Sequence, residues 1–474
     1  MVKTRITAWV KDRKPQAKRQ QPLSCHEIER RPLAASPGPE TNTFYAERVF
    51  MLSPLVSITA LLLGTAFLLT GSGLHGLLLP LRGQMEGFPT AALGTLGTAW
   101  AAGFIAGCIF GPRLVRRVGH VRAFGAFAAS GAIIALLTGM WIESVAWIVL
   151  RAFTGFIMAG AFMVIESWLN EKSTNENRGT VFGVYMIITY AALTAGQMTV
   201  AFGDVSNTLL FMTAGILFCL ALIPTAVSKA VTPQPLAEVS LDLKALYSNS
   251  PVAVIGCVLI GIANGAWGTL GPVYGGEIGI STLQIATMMS IAVLAGASLQ
   301  LPAGRLSDRI DRRLVISGAA FGSGLIGLII LFTAPRDGTT VVVMTAIYGA
   351  FAYTLYSIIV AHANDHASPE EFVKVSSGLL LLYGFGTMLG PLFGGFMMEW
   401  FKPETLFLIT ALAHMALAGY ALLRISRRAP IPAEEREAFK TLPSERAATP
   451  QAAVLDPRSD TDEETDGADF EGAK

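Results

Sequence analysis

Charge is scarce in this chain. Only 15% of its residues are Asp, Glu, Lys or Arg, where soluble domains carry roughly 25%. A deficit of that size excludes a surface that mostly faces water. Cysteine is scarce too. Cys25, Cys108, Cys219 and Cys257 lie far apart, with no metal-ligand spacing and no disulfide framework. The last three fall within apolar runs and read as small packing residues. A phosphate-cradling Gly-Lys-Ser/Thr loop is missing, and so is a His-Glu-x-x-His zinc signature. The chain therefore reads neither as an ATP-driven pump nor as a membrane metalloprotease. It is not expected to be an enzyme, and it calls for no cofactor and no metal.

What the sequence does have is apolar length. Hydrophobic residues make up 52% of it, and they come in blocks of about 20, enough for a helix to cross a ~30 Å hydrocarbon core. No water reaches the backbone there, so each block must satisfy its own polar groups as a helix. Alternating barrel-type strands are absent. The expected fold is an all-α membrane protein of twelve transmembrane helices in two pseudo-symmetric six-helix bundles, with residues 51–228 as the first half and 251–423 as the second. Residues 229–250 form a polar central loop. Residues 1–50, basic and proline-rich, and 424–474, which turn acidic, are expected to be disordered tails. Met51 opens the first block almost at once, so residues 1–50 are also a candidate gene-model extension.

Loop charge sets orientation. Arg113, Arg116 and Arg117 follow the second span, and Arg305, Arg309, Arg312 and Arg313 follow the eighth. The opposite loops carry little beyond Arg82, Arg336 and Lys402. The positive-inside rule then places both tails in the cytoplasm. The halves also echo each other. Gly155 leads to Asn170-Glu171 in the fourth span, and Gly349 leads to Asn364-Asp365 in the tenth at the same spacing. Weak internal symmetry of this kind marks duplicated transporter halves.

Four constellations carry chemistry. The first is Gly304-Arg305-Leu306-Ser307-Asp308-Arg309-Ile310-Asp311-Arg312-Arg313. Glycine permits close approach of helices, aspartate receives N–H groups at a helix start, and the arginines pair with nearby acids. Such a cluster latches one conformation and breaks in another. It resembles the loop signature of the major facilitator superfamily, with Asp311 where that family usually has glycine. The first-half copy, Gly111 to His120, has Val115 in place of the aspartate and its second glycine one place late. Candidate latch residues are Gly304, Asp308, Arg309, Arg312, Arg313, Arg116, Arg117, Glu166 and Asp365. For the two acids, pairing with loop arginines is the default reading. The plain alternative is that the arginines only set topology.

The second is Arg151, with Gly155 four residues on. A charge inside a span costs roughly 2.5–3.5 kcal/mol on insertion scales and should face a cavity or a partner, unless it snorkels to the interface. The arrangement resembles a superfamily motif linked with proton-coupled exchange. The third is Gly386-Thr387-Met388-Leu389-Gly390-Pro391-Leu392-Phe393-Gly394-Gly395, which resembles the superfamily's antiporter motif but lies in the eleventh span, where the family has it in the fifth. Gly386, Gly390, Pro391 and Gly394 point to a bendable, tightly packed helix. Gly103 and Gly107 give the second span a similarly smooth face. The resemblance implies that these two spans touch across the interface between halves.

The fourth is a set of polar side chains inside spans: His75, Gln197, Asn264, Trp267, Tyr353 and Tyr356. With Arg151 they are the candidate lining of a pathway, although each equally fits interhelical bonding or packing. No acid lies unambiguously deep, and His75 is the alternative candidate for a proton-carrying group, since histidine is the side chain whose ordinary range lies near neutral pH. Two longer segments sharpen the resemblance: Glu166-Ser167-Trp168-Leu169-Asn170-Glu171, and Leu355-Tyr356-Ser357 with Ala361-His362-Ala363-Asn364-Asp365-His366. Together they look like the YcaD-like bacterial subgroup of the superfamily, over roughly residues 51–423. That resemblance implies a secondary transporter of the inner membrane, moving a small solute by alternating access, with protons as the candidate coupling ion. A ligand-binding receptor on the same fold and a lipid flippase remain as alternatives. The expected partners are a small-molecule solute and membrane lipid, with no nucleic acid, and the chain is expected to act as a monomer.

Overall fold

The computed structural model describes residues 39–174, 177–227, 242–368 and 371–429, then 431–432, 436, 439 and 449–453, with side chains from residue 58 onward. Twelve of its helical segments are long and apolar enough to cross a membrane. The first half comprises α1 (Pro39–Met85, with the apolar span Ile58–Met85), α2 (Thr90–Val118), α3 (His120–Met140), α4 (Ser144–Lys172), α5 (Arg178–Thr199) and α6 (Leu209–Val227). A short helix, α7 (Leu243–Asn249), leads into the second half. There follow α8 (Pro251–Glu277), α9 (Thr282–Arg309), α10 (Arg312–Thr333), α11 (Gly338–Ala352), α12 (Leu355–Asn364), α13 (Phe372–Trp400) and α14 (Thr405–Ile425).

Short polar punctuation ends and starts these helices. Gly119 alone separates α2 from α3, with φ +86° that a side chain would resist. Glu143 caps α4 by accepting from the N–H groups of Val145 and Ala146 at 3.0 and 2.7 Å. Ser281 and Gln284 form a reciprocal capping box on α9. Asp311, the departure from the loop signature, caps α10 by accepting from the Arg313 N–H at 2.9 Å.

The tenth of the twelve expected spans, the one that carries Gly349, is not one continuous helix. It is broken at Tyr353–Thr354, between α11 and α12. A break inside the bilayer is tolerated only where the freed backbone groups find partners. Here Gln300 of α9 donates to the Tyr353 carbonyl at 3.2 Å, and the Thr354 hydroxyl donates to the Ala350 carbonyl at 2.7 Å.

The tails depart from expectation. Residues 1–38 lie outside the described residues, but α1 starts at Pro39, inside the segment expected to be disordered. Proline is pre-set for the first helical position, and extending an existing helix is easier than nucleating one. The tail after residue 423 is also ordered in part. α14 runs on to Ile425, Arg436 donates to the Ile310 carbonyl at 2.7 Å, and Pro450–Ala453 form a 3-10 turn. The tail gains this order by satisfying polar groups and covering apolar surface at the ends of the bundle. Residues 228–241 of the central loop lie outside the described residues. The loop's remainder is α7, whose Leu246 packs against Gly378 of α13.

Glycine holds both halves at short range. An added Cβ on Gly155 of α4 would meet the Trp100 carbonyl of α2, and one on Gly349 of α11 would meet the Ala292 carbonyl of α9. The two glycines paired by the sequence thus make the same contact in each half. The smooth face of α2 is used differently from the expectation. Gly103 and Gly107 pack on Ala152, Phe156 and Ala159 of α4, within the first half. Contact between α2 and α13 runs instead through Gly94 and Gly97, which lie against Pro391. Gly386 and Gly390 turn to the backbone of α8, at Val258 and Ile262.

Candidate functional site

A cavity of about 130 Å3 lies between the halves. α1, α2, α4 and α5 supply one wall; α8, α9, α13 and the α11–α12 break supply the other. The volume admits several water molecules. Most of the wall is apolar, from residues such as Leu77, Leu96, Phe162 and Val293. Polar groups are few: Arg151, Gln197, Ser72 and Thr194 from the first half, Thr269, Tyr353 and Thr387 from the second. Arg151 is the one formally charged side chain among the lining residues. Its guanidinium carbon stands 6.0 Å from the Trp100 ring centroid, a cation–π geometry. Gln197 accepts a hydrogen bond from Ser290 of α9 at 3.0 Å, which ties the halves across the cavity's edge.

Of the seven side chains expected along a pathway, Arg151, Gln197 and Tyr353 line this cavity. Tyr353 sits at the helix break, so the same departure from helical geometry that frees its carbonyl brings it to the wall. The other four lie elsewhere. His75 is buried in the packing of α1 against α6, edge-on to Phe211 with centroids 6.2 Å apart. Trp267 is enclosed by Tyr348 and Phe407. Tyr356 packs on Tyr383 at 5.5 Å, and Asn264 is buried in α8. A polar residue inside a span has one inward face out of several, and composition does not say which. Trp100, Thr194 and Thr269 went unnoticed because serine, threonine and tryptophan are ordinary in membrane helices.

The two ends of the interface between halves differ. At the end away from the basic loops, the helices meet directly. Gln84 of α1 donates to the Val273 carbonyl of α8 at 3.2 Å, Thr90 donates to Glu277 at 3.0 Å, and the Ala91 N–H donates to Glu399 at 2.7 Å. Thr98 donates to the Met388 carbonyl at 2.7 Å.

At the basic face, the latch candidates of the second half come together. Arg312 is almost fully buried and holds Asp365 by two hydrogen bonds, at 2.6 and 3.2 Å. It also reaches Asp308 at 3.1 Å and the Ser307 hydroxyl at 2.8 Å. Arg313 pairs with Asp311 at 2.6 Å and donates to the carbonyls of Arg424 and Arg428. Burial pushes the Asp311 carboxyl up, but the hydrogen bonds and charge of Arg313 outweigh it and hold that carboxyl below its usual range. These bonds tie α9, α10, α12 and α14, all within one half. Arg309 is exposed. In the first half, Arg116 and Arg117 are exposed and Val115 is buried.

Glu166 is fully buried in α4. It accepts hydrogen bonds from the Tyr185 hydroxyl at 3.4 Å, from the Thr449 N–H at 3.2 Å and from the Thr449 hydroxyl. Two of these donors belong to the C-terminal tail, a partner that the spacing of helical residues does not reveal.

Comparison with known proteins agrees with this architecture. The Major Facilitator Superfamily family model matches residues 61–299 and again 253–458. An uncharacterized MFS-type transporter YcaD of Salmonella arizonae is 28% identical over 362 residues, covering 75% of this chain and 92% of that protein. Among solved structures, the nucleoside transporter NupG superposes with a TM-score of 0.62 at 17% identity, covering 78% of this chain and 99% of NupG. A bacterial homolog of the human lysosomal transporter Spinster, in an inward-facing and occupied conformation, gives 0.61 at 14% identity over 82% of this chain and 100% of its own. This chain belongs to the Major Facilitator Superfamily and is a multi-pass membrane transporter.

Proposed function

We propose that the protein is a secondary transporter that moves a small organic anion by alternating access, with its basic face in the cytoplasm of the cell whose inner membrane it spans. One observation carries the substrate class. The cavity between the halves is walled mainly by apolar side chains and holds a single formal charge, the Arg151 guanidinium. A guanidinium in an apolar wall is matched by a carboxylate or similar anion, which it meets with charge-assisted, often paired hydrogen bonds. The apolar wall and the Trp100 ring suit a solute with a compact hydrophobic body. Ser72, Thr194, Thr269 and Thr387 add neutral donors and acceptors for orientation.

Alternating access follows from the placement of the cavity. Each half contributes a wall, so a rocking of one half against the other opens the site to one side and closes it to the other. The bonds of Gln84, Thr90 and Ala91 join the halves on the side away from the basic face, as expected for a state closed to the exterior. The solute shifts the balance of states by its differential affinity for them.

Purified protein in liposomes tests this reading. Radiolabelled acetate, lactate and benzoate are offered with and without an imposed pH gradient. Saturable uptake of at least one, lost at least ~30-fold in Arg151→Ala, is expected, on the basis that truncating one partner of a buried charge pair costs about 2 kcal/mol or more. Acceleration by a proton gradient identifies protons as the coupling ion. Saturable binding without flux identifies a receptor, and movement of labelled phospholipid identifies a flippase.

A further inference from the structure

The C-terminal tail reaches a place that a passive extension has no reason to occupy. After α14, Arg436 and Phe439 lie against the basic face of the second half, at Ile310 and Asp308. The Phe439 N–H donates to both oxygens of Asp308, at 3.1 and 3.2 Å, and its ring lies over Gly304, where any added Cβ would strike it. The glycine and aspartate of the loop signature thus receive the tail. Ten residues further on, the chain stands at the other half. Thr449 donates its N–H and its hydroxyl to Glu166 of α4, while the Pro450 carbonyl lies 3.5 Å from the Ser377 hydroxyl of α13.

The seat is enclosed. Thr449 is 1% exposed, and Gln451 and Ala452 are each 6% exposed. Polar residues are seldom buried to that extent without a partner that rewards it. The reward lies at Glu166. A fully buried carboxylate needs donors, and α4 and α5 supply only the Tyr185 hydroxyl among the hydrogen bonds described for it. The tail supplies two more.

We propose that residues 449–452 are an internal strap, seated between α4 and α13 at the basic face, that closes the cavity to that side until it is released. The proposal rests on the alternating-access reading and adds its regulation. With one anchor on the second half at Phe439 and the other on the first half at Glu166, the seated strap also couples the halves where they must move. Tethering gives the short segment a high local concentration at its seat, so a few hydrogen bonds suffice to hold it and their loss suffices to free it.

The test reads access to the cavity rather than transport. Thr269→Cys is placed in the cavity wall of the full chain, with Cys25→Ser and Cys219→Ser, leaving the buried Cys108 and Cys257. Inside-out vesicles are treated with a membrane-impermeant maleimide. Labelling is expected to be slow in the full chain and at least ~10-fold faster when the chain ends at Ala448. The full-length variant Thr449→Glu, which sets a second carboxylate against Glu166, is expected to match the truncation. Gln451→Cys in the otherwise full chain is expected to label slowly. Equal rates for full and truncated chains, or rapid labelling of Gln451→Cys, overturn the strap. Faster labelling on truncation with no anion flux in liposomes keeps the strap and overturns the anion reading. Anion flux with unchanged labelling overturns the strap alone.

Discussion

In the second half, the last turn of α9 carries Asp308, and the buried Arg312 gathers it together with Asp365 and Ser307 into one cluster. In the first half, the end of α2 carries Val115, which is buried as a packing residue, while Arg117 stands exposed. The acids near the ends of the corresponding spans then meet different fates. Asp365 is neutralised within its own half by an arginine. Glu166 is completed by donors from the far end of the chain. The halves agree at one close backbone approach: Gly155 on Trp100 in one is Gly349 on Ala292 in the other. The duplicated scaffold is kept where backbones touch. It diverges where side chains at the basic face exchange partners, and that is where a conformational cycle needs adjustable bonds.

The largest effect expected from this contrast is at Arg312. Arg312→Ala leaves the Asp365 carboxylate, whose side chain is 3% exposed, without its partner. Breaking a buried pair in this way costs about 3–5 kcal/mol. Arg117→Ala, at an exposed arginine of the first-half copy, is expected to stay within about 0.5 kcal/mol. Thermal unfolding in detergent compares them, and similar losses in the two variants would erase the contrast.

A middle-sized effect is expected where the halves agree. Gly155→Ala and Gly349→Ala each force a backbone apart, at about 1–3 kcal/mol. The same unfolding measurement checks whether the two losses are comparable, as a shared contact requires. A loss confined to one half would show that the duplication is only approximate there.

The smallest stability effect is expected at Asp308→Asn. Asp308 is one-third exposed, so its pair with Arg312 is worth at most about 1 kcal/mol. Uptake of the labelled anion should nevertheless slow several-fold, because the same carboxylate holds both Arg312 and the Phe439 N–H. Uptake at the unaltered rate, with normal expression, would confine the second-half cluster to a structural role.

The long apolar runs announced twelve crossings and the glycine pairing announced the duplication, because both depend on local composition and spacing. Arg151 was legible as a cavity residue because a charge within a span has few tolerable environments. His75, Asn264, Trp267 and Tyr356 looked equivalent to Gln197 and Tyr353, yet only the latter two line the cavity. The break at Tyr353 was invisible as well. It depends on Gln300 of another helix to satisfy a carbonyl. The tail's order was likewise hidden, since its composition is that of a solvated segment and its partners, Asp308 and Glu166, lie on distant helices.

By itself the sequence determined that this chain crosses a membrane repeatedly, that it does so in two related sets of helices, and that one side is basic. Those outcomes follow from transfer of whole segments between water and hydrocarbon, a property each segment carries alone. Tertiary structure alone decided which polar groups share the central cavity, which acid meets which donor, and where the last ordered residues of the tail come to rest. Those are matters of helix rotation and of contacts between distant segments, and no single stretch of chain contains them.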